Sequence, residues 1–248
     1  MRSRTKRVSY WLALIAPVLG AVAACSGEVS DSRPQEKSSA PPASPTQVAI
    51  RDSIIARANA RLVKRPDTLG MRADSARVLG APTANLFLVV TSDFQCHECR
   101  NLALNVLPDV RKEFVDNGRI RLAFINNPQE RFFNARFAAL AALCAGITGR
   151  FWQMHDQLFI NQASWERLPD PRDFMHSLAV TAGVPANVYS DCMSKNRMLH
   201  QLSADITRSR ETGVNDVPTV FLGDRRLEQK ELTVEGIRKA VLKALGDH

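Results

Sequence analysis

Cys96-His97-Glu98-Cys99, two cysteines three apart, is the stretch of this sequence whose residue types and spacing can carry chemistry. Such a pair can ligate a metal through sulfur, or it can cycle between dithiol and disulfide. A structural zinc site needs four ligands, usually completed by a second CxxC or a spaced His pair, and this sequence has neither. His97 sits inside the motif, where it would face away from a metal held by both sulfurs. Redox exchange instead needs the first cysteine as a thiolate, and therefore a local structure that stabilises negative charge on sulfur.

The flanking residues supply such a structure. Asn85 to Thr91 contains the apolar run Leu86-Phe87-Leu88-Val89-Val90. Its length and its β-branched and aromatic content predict a strand buried on both faces. Thr91, Ser92 and Asp93 follow as a turn, and beyond the cysteines Leu102, Leu104, Val106, Leu107 and Val110 recur at roughly helical spacing. The order strand, turn, CxxC, helix places Cys96 at a helix N-terminus. Free backbone N–H groups and the helix dipole favour an anion there and lower the thiol pKa. Cys99, one turn further in, can close a disulfide with it.

The N-terminal part speaks to location. Arg2, Arg4, Lys6 and Arg7 form a basic head with no acid, followed by the apolar stretch Val8 to Ala24. That pattern predicts an export signal over 1–24 rather than a spanning helix. It ends in Val22-Ala23-Ala24-Cys25, which resembles the bacterial lipoprotein box, in which the cysteine carries lipid and becomes the mature N-terminus. Ser26 to Gln47 holds six serines and four prolines and one large aliphatic residue, Val29. Such a segment cannot bury enough apolar area to fold, so 25–48 is expected to be a lipidated cysteine and a tether of about 25 Å root-mean-square span. The formal charge is +8, and loss of the four signal charges leaves about +4, mild and mixed with acids. An exported protein of that balance is not expected to bind nucleic acid.

Residues 49–248 fit one domain. Ile50, Ile54, Ala58 and Leu62 mark an amphipathic helix that stops before Pro66, and Ala76 to Leu79 reads as a short strand before the break Gly80-Ala81-Pro82. The helix after Cys99 is expected to reach about Val115 with a kink at Pro108. Arg119 to Asn126 alternates as a strand, and a short crossover between two strands predicts a parallel βαβ pair. From about 129 to 210 only helical patterns occur. Val220 to Leu222 then reads as a strand, Gly223-Asp224 as a hairpin turn, and Leu227 as the return. Thr233 to Leu245 is a closing helix with Thr233 as N-cap and Gly246 after it.

Four pieces occur in a fixed order: Gly80-x-Pro82, Ser92-Asp93-Phe94-Gln95-Cys96-x-x-Cys99, Phe151-Trp152-x-Met154-His155-Asp156-x-Leu158-Phe159, and Gly213-Val214-x-x-Val217-Pro218-Thr219. Together they resemble the DsbA-like thiol:disulfide oxidoreductases of the thioredoxin superfamily, over about 76–245. The resemblance implies an α/β fold: a thioredoxin fold interrupted by a helical domain, here at about 129–210. It implies a cis Val217–Pro218 bond facing the CxxC, with the Val217 backbone free to pair with an extended substrate chain. It implies that Cys96 is the nucleophile and Cys99 resolves the mixed disulfide. No metal, nucleotide or other cofactor is expected beyond the Cys96–Cys99 disulfide itself. The family often has a proline after the first cysteine, whereas this chain has His97-Glu98. A protonated His97 near Cys96 would favour the thiolate and Glu98 would disfavour it. The expectation is a disulfide less oxidising than the strongest of the family, with the net direction of electron flow open.

The resulting reading is a membrane-tethered, extracytoplasmic thiol:disulfide oxidoreductase on the periplasmic side of a bacterial envelope. Its expected partners are cysteine-containing exported proteins, a recycling redox partner, and the membrane through the lipid on Cys25. Two readings from other classes stand beside it: a redox-inactive lipoprotein that uses the fold to bind peptides, and a metal carrier using Cys96, Cys99 and His97. Of five cysteines, Cys144 and Cys192 are left over, both on apolar helical faces. Either they are small buried hydrophobes that never meet, or they form a structural disulfide across the helical block, a second bridge that some relatives carry.

Overall fold

The computed structural model describes residues 67–246. The export signal, Cys25, the tether and the amphipathic helix read from Ile50 to Leu62 lie outside the described residues.

The described chain opens with a helix that its weak apolar pattern did not announce, α1 (Thr68–Ala76). Asp67 caps it, Oδ1 accepting from the Gly70 N–H at 3.1 Å. Tertiary contact decides this helix more than propensity: it crosses the insertion at Gly146, where a Cβ would lie 3.1 Å from the Ala73 Cα. Because Ala76 belongs to α1, the strand expected from Ala76 shrinks to β1 (Val78–Leu79). Gly80 then turns at φ +100°, and a Cβ there would lie 2.5 Å from the Ile120 carbonyl oxygen. Only glycine fits that break.

The expected central strand is β2 (Phe87–Ser92), with Leu88 and Val90 buried. It pairs in parallel with β3 (Arg121–Asn126), in register from Phe87 opposite Arg121 to Ser92 opposite Asn126. The crossover differs from the single kinked helix expected. It is α2 (His97–Asn105), then α3 (Leu107–Val110), then a π-turn at Arg111–Val115. The break falls at Val106, whose φ of −121° leaves the helical region, two residues before Pro108. Proline has no N–H to continue the ladder and its ring conflicts with the carbonyl four residues back. At the start of a new helix neither fault costs anything.

On the other side of β2 runs β4 (Thr219–Leu222), antiparallel, followed by β5 (Arg225–Arg226). β1 adds antiparallel to the outside of β3, giving the order β1-β3-β2-β4-β5 with β2 in the centre. α10 (Val234–Leu245) closes the chain, capped by Thr233 Oγ1, which accepts from the Gly236 N–H at 3.0 Å, and ended by Gly246 at φ +78°.

Between β3 and β4 the chain is helical: α4 (Ala135–Gly146), α5 (Phe151–Ile160), α6 (Gln162–Trp165), α7 (Arg172–Thr181), α8 (Ala186–Ser194) and α9 (Leu199–Glu211). This is a thioredoxin-type sheet with a helical insertion, the architecture that the resemblance implies. α4 is apolar on nearly every side because it is surrounded, and eight of its residues after Ala135 are buried. Cys144 of α4 and Cys192 of α8 are joined by a disulfide, with S–S 1.95 Å and Cα atoms 5.8 Å apart.

Four sets of contacts fix the insertion onto the thioredoxin-type part. Asp205 of α9, fully buried, accepts from the Asn126 backbone N–H at 3.1 Å and from its side-chain amide at 2.9 Å, and pairs with Arg77. Phe94, at the end of the turn after β2, stacks on Phe124 of β3 at 5.3 Å and meets Phe159 of α5 at 5.0 Å with the rings tilted. His155 of α5 sits edge-on among Phe94, Phe124 and Phe159. Arg100 of α2 donates to the Phe159 carbonyl at 2.9 Å. The helix that follows the cysteines is therefore bonded directly to the helix carrying the Phe-Trp-x-Met-His motif.

Candidate active site

Cys96 is the N-cap of α2, in extended conformation, and its sulfur accepts from the Cys99 backbone N–H at 3.3 Å. The sequence dictates this locally: the turn Thr91-Ser92-Asp93 ends β2, the Cys96 N–H bonds back to the Asp93 carbonyl at 3.2 Å, and α2 starts one residue later. Cys99 lies beneath it on the buried face of α2, and both cysteines are unbonded.

The two thiols are electrostatically unequal. The neighbouring Cys99 thiol, hydrogen-bonded to the Cys96 sulfur, holds the Cys96 pKa below the ordinary thiol value. Burial opposes this, the Cys99 backbone N–H adds to it, and the Glu98 carboxylate opposes it. Cys99 moves the other way: burial first, then the Cys96 sulfur, push its pKa well above the ordinary value, while Ser92 and the Asp93 backbone pull it partly back. One sulfur is thus disposed to carry charge and the other to keep its proton.

His97 and Glu98, expected to oppose each other at Cys96, do different things. His97 turns outward, its Nε2 held 2.8 Å from Glu166 Oε2. Glu98 alone reaches the sulfur, with Oε2 at 3.3 Å. Helix position 97 is directed at Glu166, in the loop after α6, while Glu98 lies against the N-cap sulfur. That geometry also separates His97 from the two sulfurs as a ligand set, and among the described residues no cluster of three or more His, Cys, Asp or Glu side chains converges to hold a metal.

From the opposite side comes the segment before β4. The Val217–Pro218 peptide bond is cis, and the Val217 carbonyl oxygen lies 3.7 Å from the Cys96 sulfur. β4 pairs only from Thr219, so the Val217 backbone lies outside the sheet ladder. Cys96 is buried, with Glu98 on one side and the Val217 carbonyl on the other.

Sequence reasoning missed the polar frame under the turn. Asp93, 2% exposed, accepts from the Gln95 N–H through Oδ1 and from the Gln129 N–H through Oδ2, each at 2.7 Å. Burial pushes its pKa up to about 6, against those two N–H groups and the charge of Arg131. Gln95 donates to the Glu166 carbonyl at 2.7 Å and accepts from the Asn134 N–H at 2.8 Å. Gln162 of α6, 1% exposed, donates to the Phe94 and Cys96 carbonyls at 2.8 and 3.0 Å. Buried amides in such a frame are fully committed to it. Asp93 and Gln95 were visible inside the motif. Gln162 carried no signal, since its role exists only once α6 is packed over the turn.

The arrangement brings together Cys96, Cys99, Glu98, Val217 and Pro218. His97 stands on the rim, and Cys144 and Cys192 belong to the insertion. Comparison with known proteins agrees with the architecture. A family model described as Thioredoxin matches residues 72–243. Disulfide bond formation protein D of Bacillus subtilis is 23% identical over 154 residues, which is 60% of this chain and 68% of that protein. The Na(+)/H(+) antiporter NhaA 1 of Mycolicibacterium gilvum is 30% identical over 152 residues, 60% of this chain, and the chain spans only 23% of that protein's length. The crystal structure of oxidised BdbD from Bacillus subtilis superposes with a TM-score of 0.63 at 22% identity, covering 68% of this chain and 92% of that one. The chain belongs to the thioredoxin family, as a DsbA-like thiol:disulfide oxidoreductase.

Proposed function

We propose that the protein exchanges disulfides with cysteine-containing exported polypeptides outside the cytoplasm, held to a membrane by lipid on Cys25. The observation that carries the redox part is the asymmetry at the CxxC: a charge-stabilised Cys96 at the helix start, a proton-holding Cys99 behind it, and unladdered backbone at Val217 beside them. In the oxidising direction a substrate thiolate attacks the Cys96 sulfur of the Cys96–Cys99 disulfide. A substrate–Cys96 bond forms, the Cys96–Cys99 bond breaks, and Cys99 leaves and takes up a proton. A second substrate thiolate then attacks the substrate sulfur, and Cys96 leaves as the stabilised thiolate. Two electrons have moved to the CxxC, and a recycling partner must remove them. Reduction is the same path reversed. A leaving thiol of low pKa departs faster, which favours Cys96 in the second step. The only redox group required is the protein's own disulfide. The envelope location rests on the export signal, the Cys25 box and the tether.

The test mixes the oxidised protein with a reduced, unfolded ribonuclease and follows substrate disulfides. Cys96→Ser should fall to the uncatalysed rate. Cys99→Ser should accumulate a mixed disulfide through Cys96, visible on non-reducing gels. A wild-type protein that exchanges with neither this substrate nor dithiothreitol would end the redox reading. For the anchor, membrane-extracted protein should weigh more than a chain starting at Cys25 by its acyl groups.

A further inference from the structure

Four consecutive residues around the reactive sulfur, Phe94 to His97, are each held by one short stretch of the insertion, Gln162 to Glu166. Gln162 Nε2 donates to the Phe94 carbonyl at 2.8 Å and to the Cys96 carbonyl at 3.0 Å. Gln95 Nε2 donates to the Glu166 carbonyl at 2.7 Å, and His97 Nε2 lies 2.8 Å from Glu166 Oε2. The stretch is itself fixed. The Glu166 N–H donates to the Gln162 carbonyl at 2.9 Å, and the fully buried Trp165 donates through Nε1 to the Leu158 carbonyl at 2.8 Å. The Asn134 amide donates to the Trp165 and Leu168 carbonyls at 3.2 and 2.9 Å. Within this cradle Gln162 is the member that holds the Cys96 backbone. Its two carbonyls belong to the peptide units immediately before and after the Gln95–Cys96 unit. A primary amide has two N–H hydrogens, and both are spent there. The direction of the Cys96 carbonyl is set by its ψ of 128°, and that torsion makes Cys96 an N-cap with its sulfur 3.3 Å from the Cys99 N–H.

We propose that Gln162 is a positioning residue for disulfide exchange, holding Cys96 in the N-cap conformation in which the helix-start N–H stabilises its thiolate. The proposal rests on the exchange reading above and brings a residue of the insertion into it. Gln162 acts through the Cys96 backbone. Without its amide the Cys96 carbonyl still accepts from the Arg100 N–H at 3.0 Å, so α2 persists. The turn before it loses its anchor at Phe94, and the Cys96 torsions gain freedom. The sulfur then spends part of its time away from the Cys99 N–H. A thiolate loses more by this than a disulfide sulfur does, because an N–H bond to a charged acceptor is the stronger one. The penalty therefore falls on the reduced form, and on the step in which Cys96 attacks or leaves as an anion.

The experiment compares the full wild-type chain with Gln162→Met, which keeps length and burial without donors, and Gln162→Asn, which keeps the donors on a shorter arm. Reduced protein is alkylated with iodoacetamide across pH and read on the Cys96 peptide by mass. Oxidised protein is equilibrated with glutathione, and both forms are unfolded in urea. Gln162→Met should slow Cys96 alkylation at mildly acidic pH by about threefold to tenfold, the scale of one hydrogen bond, with the plateau rate at high pH unchanged. The equilibrium with glutathione should become less oxidising by the same factor, and the reduced form should lose more urea stability than the oxidised form. Gln162→Asn should fall between the variant and the wild type. Equal destabilisation of both forms, with the alkylation profile and the glutathione equilibrium at wild-type values, would show a purely structural role and overturn the proposal. So would an alkylation profile that moves to lower pH. Should Gln162→Met fail to fold, Gln162→Asn decides by the same two readouts. A wild-type protein that never equilibrates with glutathione strikes the exchange reading instead, while the alkylation profile still tests the positioning, so the two failures are distinguishable.

Discussion

The molecule contains two cysteine pairs, and they share more than they differ in. All four sulfurs belong to residues at most 1% exposed, and each pair joins or adjoins a helix. Yet Cys144 and Cys192, 48 residues apart, are bonded, while Cys96 and Cys99, three apart, are free. Exposure does not separate a structural from a reactive cysteine here; polar contact does. Cys96 has a helix-start N–H at 3.3 Å, a carboxylate at 3.3 Å and a carbonyl at 3.7 Å. Cys144 lies within the run Ala141-Ala142-Leu143-Cys144-Ala145, buried throughout, where a thiolate would find nothing to stabilise it.

That contrast is most sharply tested by removing the structural pair. A disulfide that closes a 48-residue loop should stabilise by about 4 kcal/mol through the entropy of the unfolded chain. Cys144→Ala with Cys192→Ala should therefore lower the urea midpoint, with a steeper slope because the unlinked denatured chain is less compact, while dithiothreitol exchange at Cys96 continues at the wild-type rate. If stability holds and exchange collapses, the two pairs are coupled and the division of roles is wrong.

The sequence made some of this legible and hid the rest for identifiable reasons. The strand–turn–CxxC–helix order, the parallel crossover, the closing helix from Thr233 and the helical block were readable because each is a local periodicity with its own cap or break. α1 was not, since Ala73 packs on Gly146, a residue far along the chain. The break at Val106 was misplaced because Pro108 is better tolerated at a new helix start than inside a kink. At the site, Cys96 and Cys99 announce themselves by type, but the direction of a side chain does not. His97 pairs with Glu166, 69 residues away, and nothing in the sequence specifies that. The frame of Asp93, Gln95, Asn134 and Gln162 is likewise invisible until α6 covers the turn.

Asp93 sharpens the comparison from the protein's side, because the reactive pair rests on a buried acid and the structural pair does not. The Asp93 pKa is about 6 in the fold against 3.8 ordinarily, so the folded state holds this proton more tightly than the unfolded chain does. Its contribution to stability is full below about pH 4 and is lost as pH rises to about 6, by up to about 3 kcal/mol. His155 acts oppositely: burial holds its pKa below 6.5, so its contribution is present at higher pH and is lost as pH falls through its depressed value. The useful measurement is therefore the difference between wild type and Asp93→Asn in urea stability across pH 4 to 7. Wild type should lose stability relative to the variant over that range. A flat difference would mean that Asp93 is not the group that titrates.

The smallest expected effect concerns the tuning of Cys96 itself. Among the described residues Glu98 is the one charged side chain at hydrogen-bond distance from the sulfur, and both its hydrogen bond and its charge raise the Cys96 pKa, against the stronger lowering by Cys99. Glu98 is exposed, so solvent screens much of its charge. Glu98→Gln keeps the shape and removes the charge. The thiolate should then form at lower pH, and alkylation of the reduced protein by iodoacetamide at mildly acidic pH, read on the Cys96 peptide by mass, should rise a few-fold. The same change stabilises the reduced form, so the Cys96–Cys99 disulfide should become more oxidising against glutathione. Both shifts must go together, because both follow from the free energy of one thiolate. An alkylation profile that moves to higher pH, or a potential that moves while the profile stays, would show that Glu98 acts on Cys96 by shielding the sulfur rather than by charge.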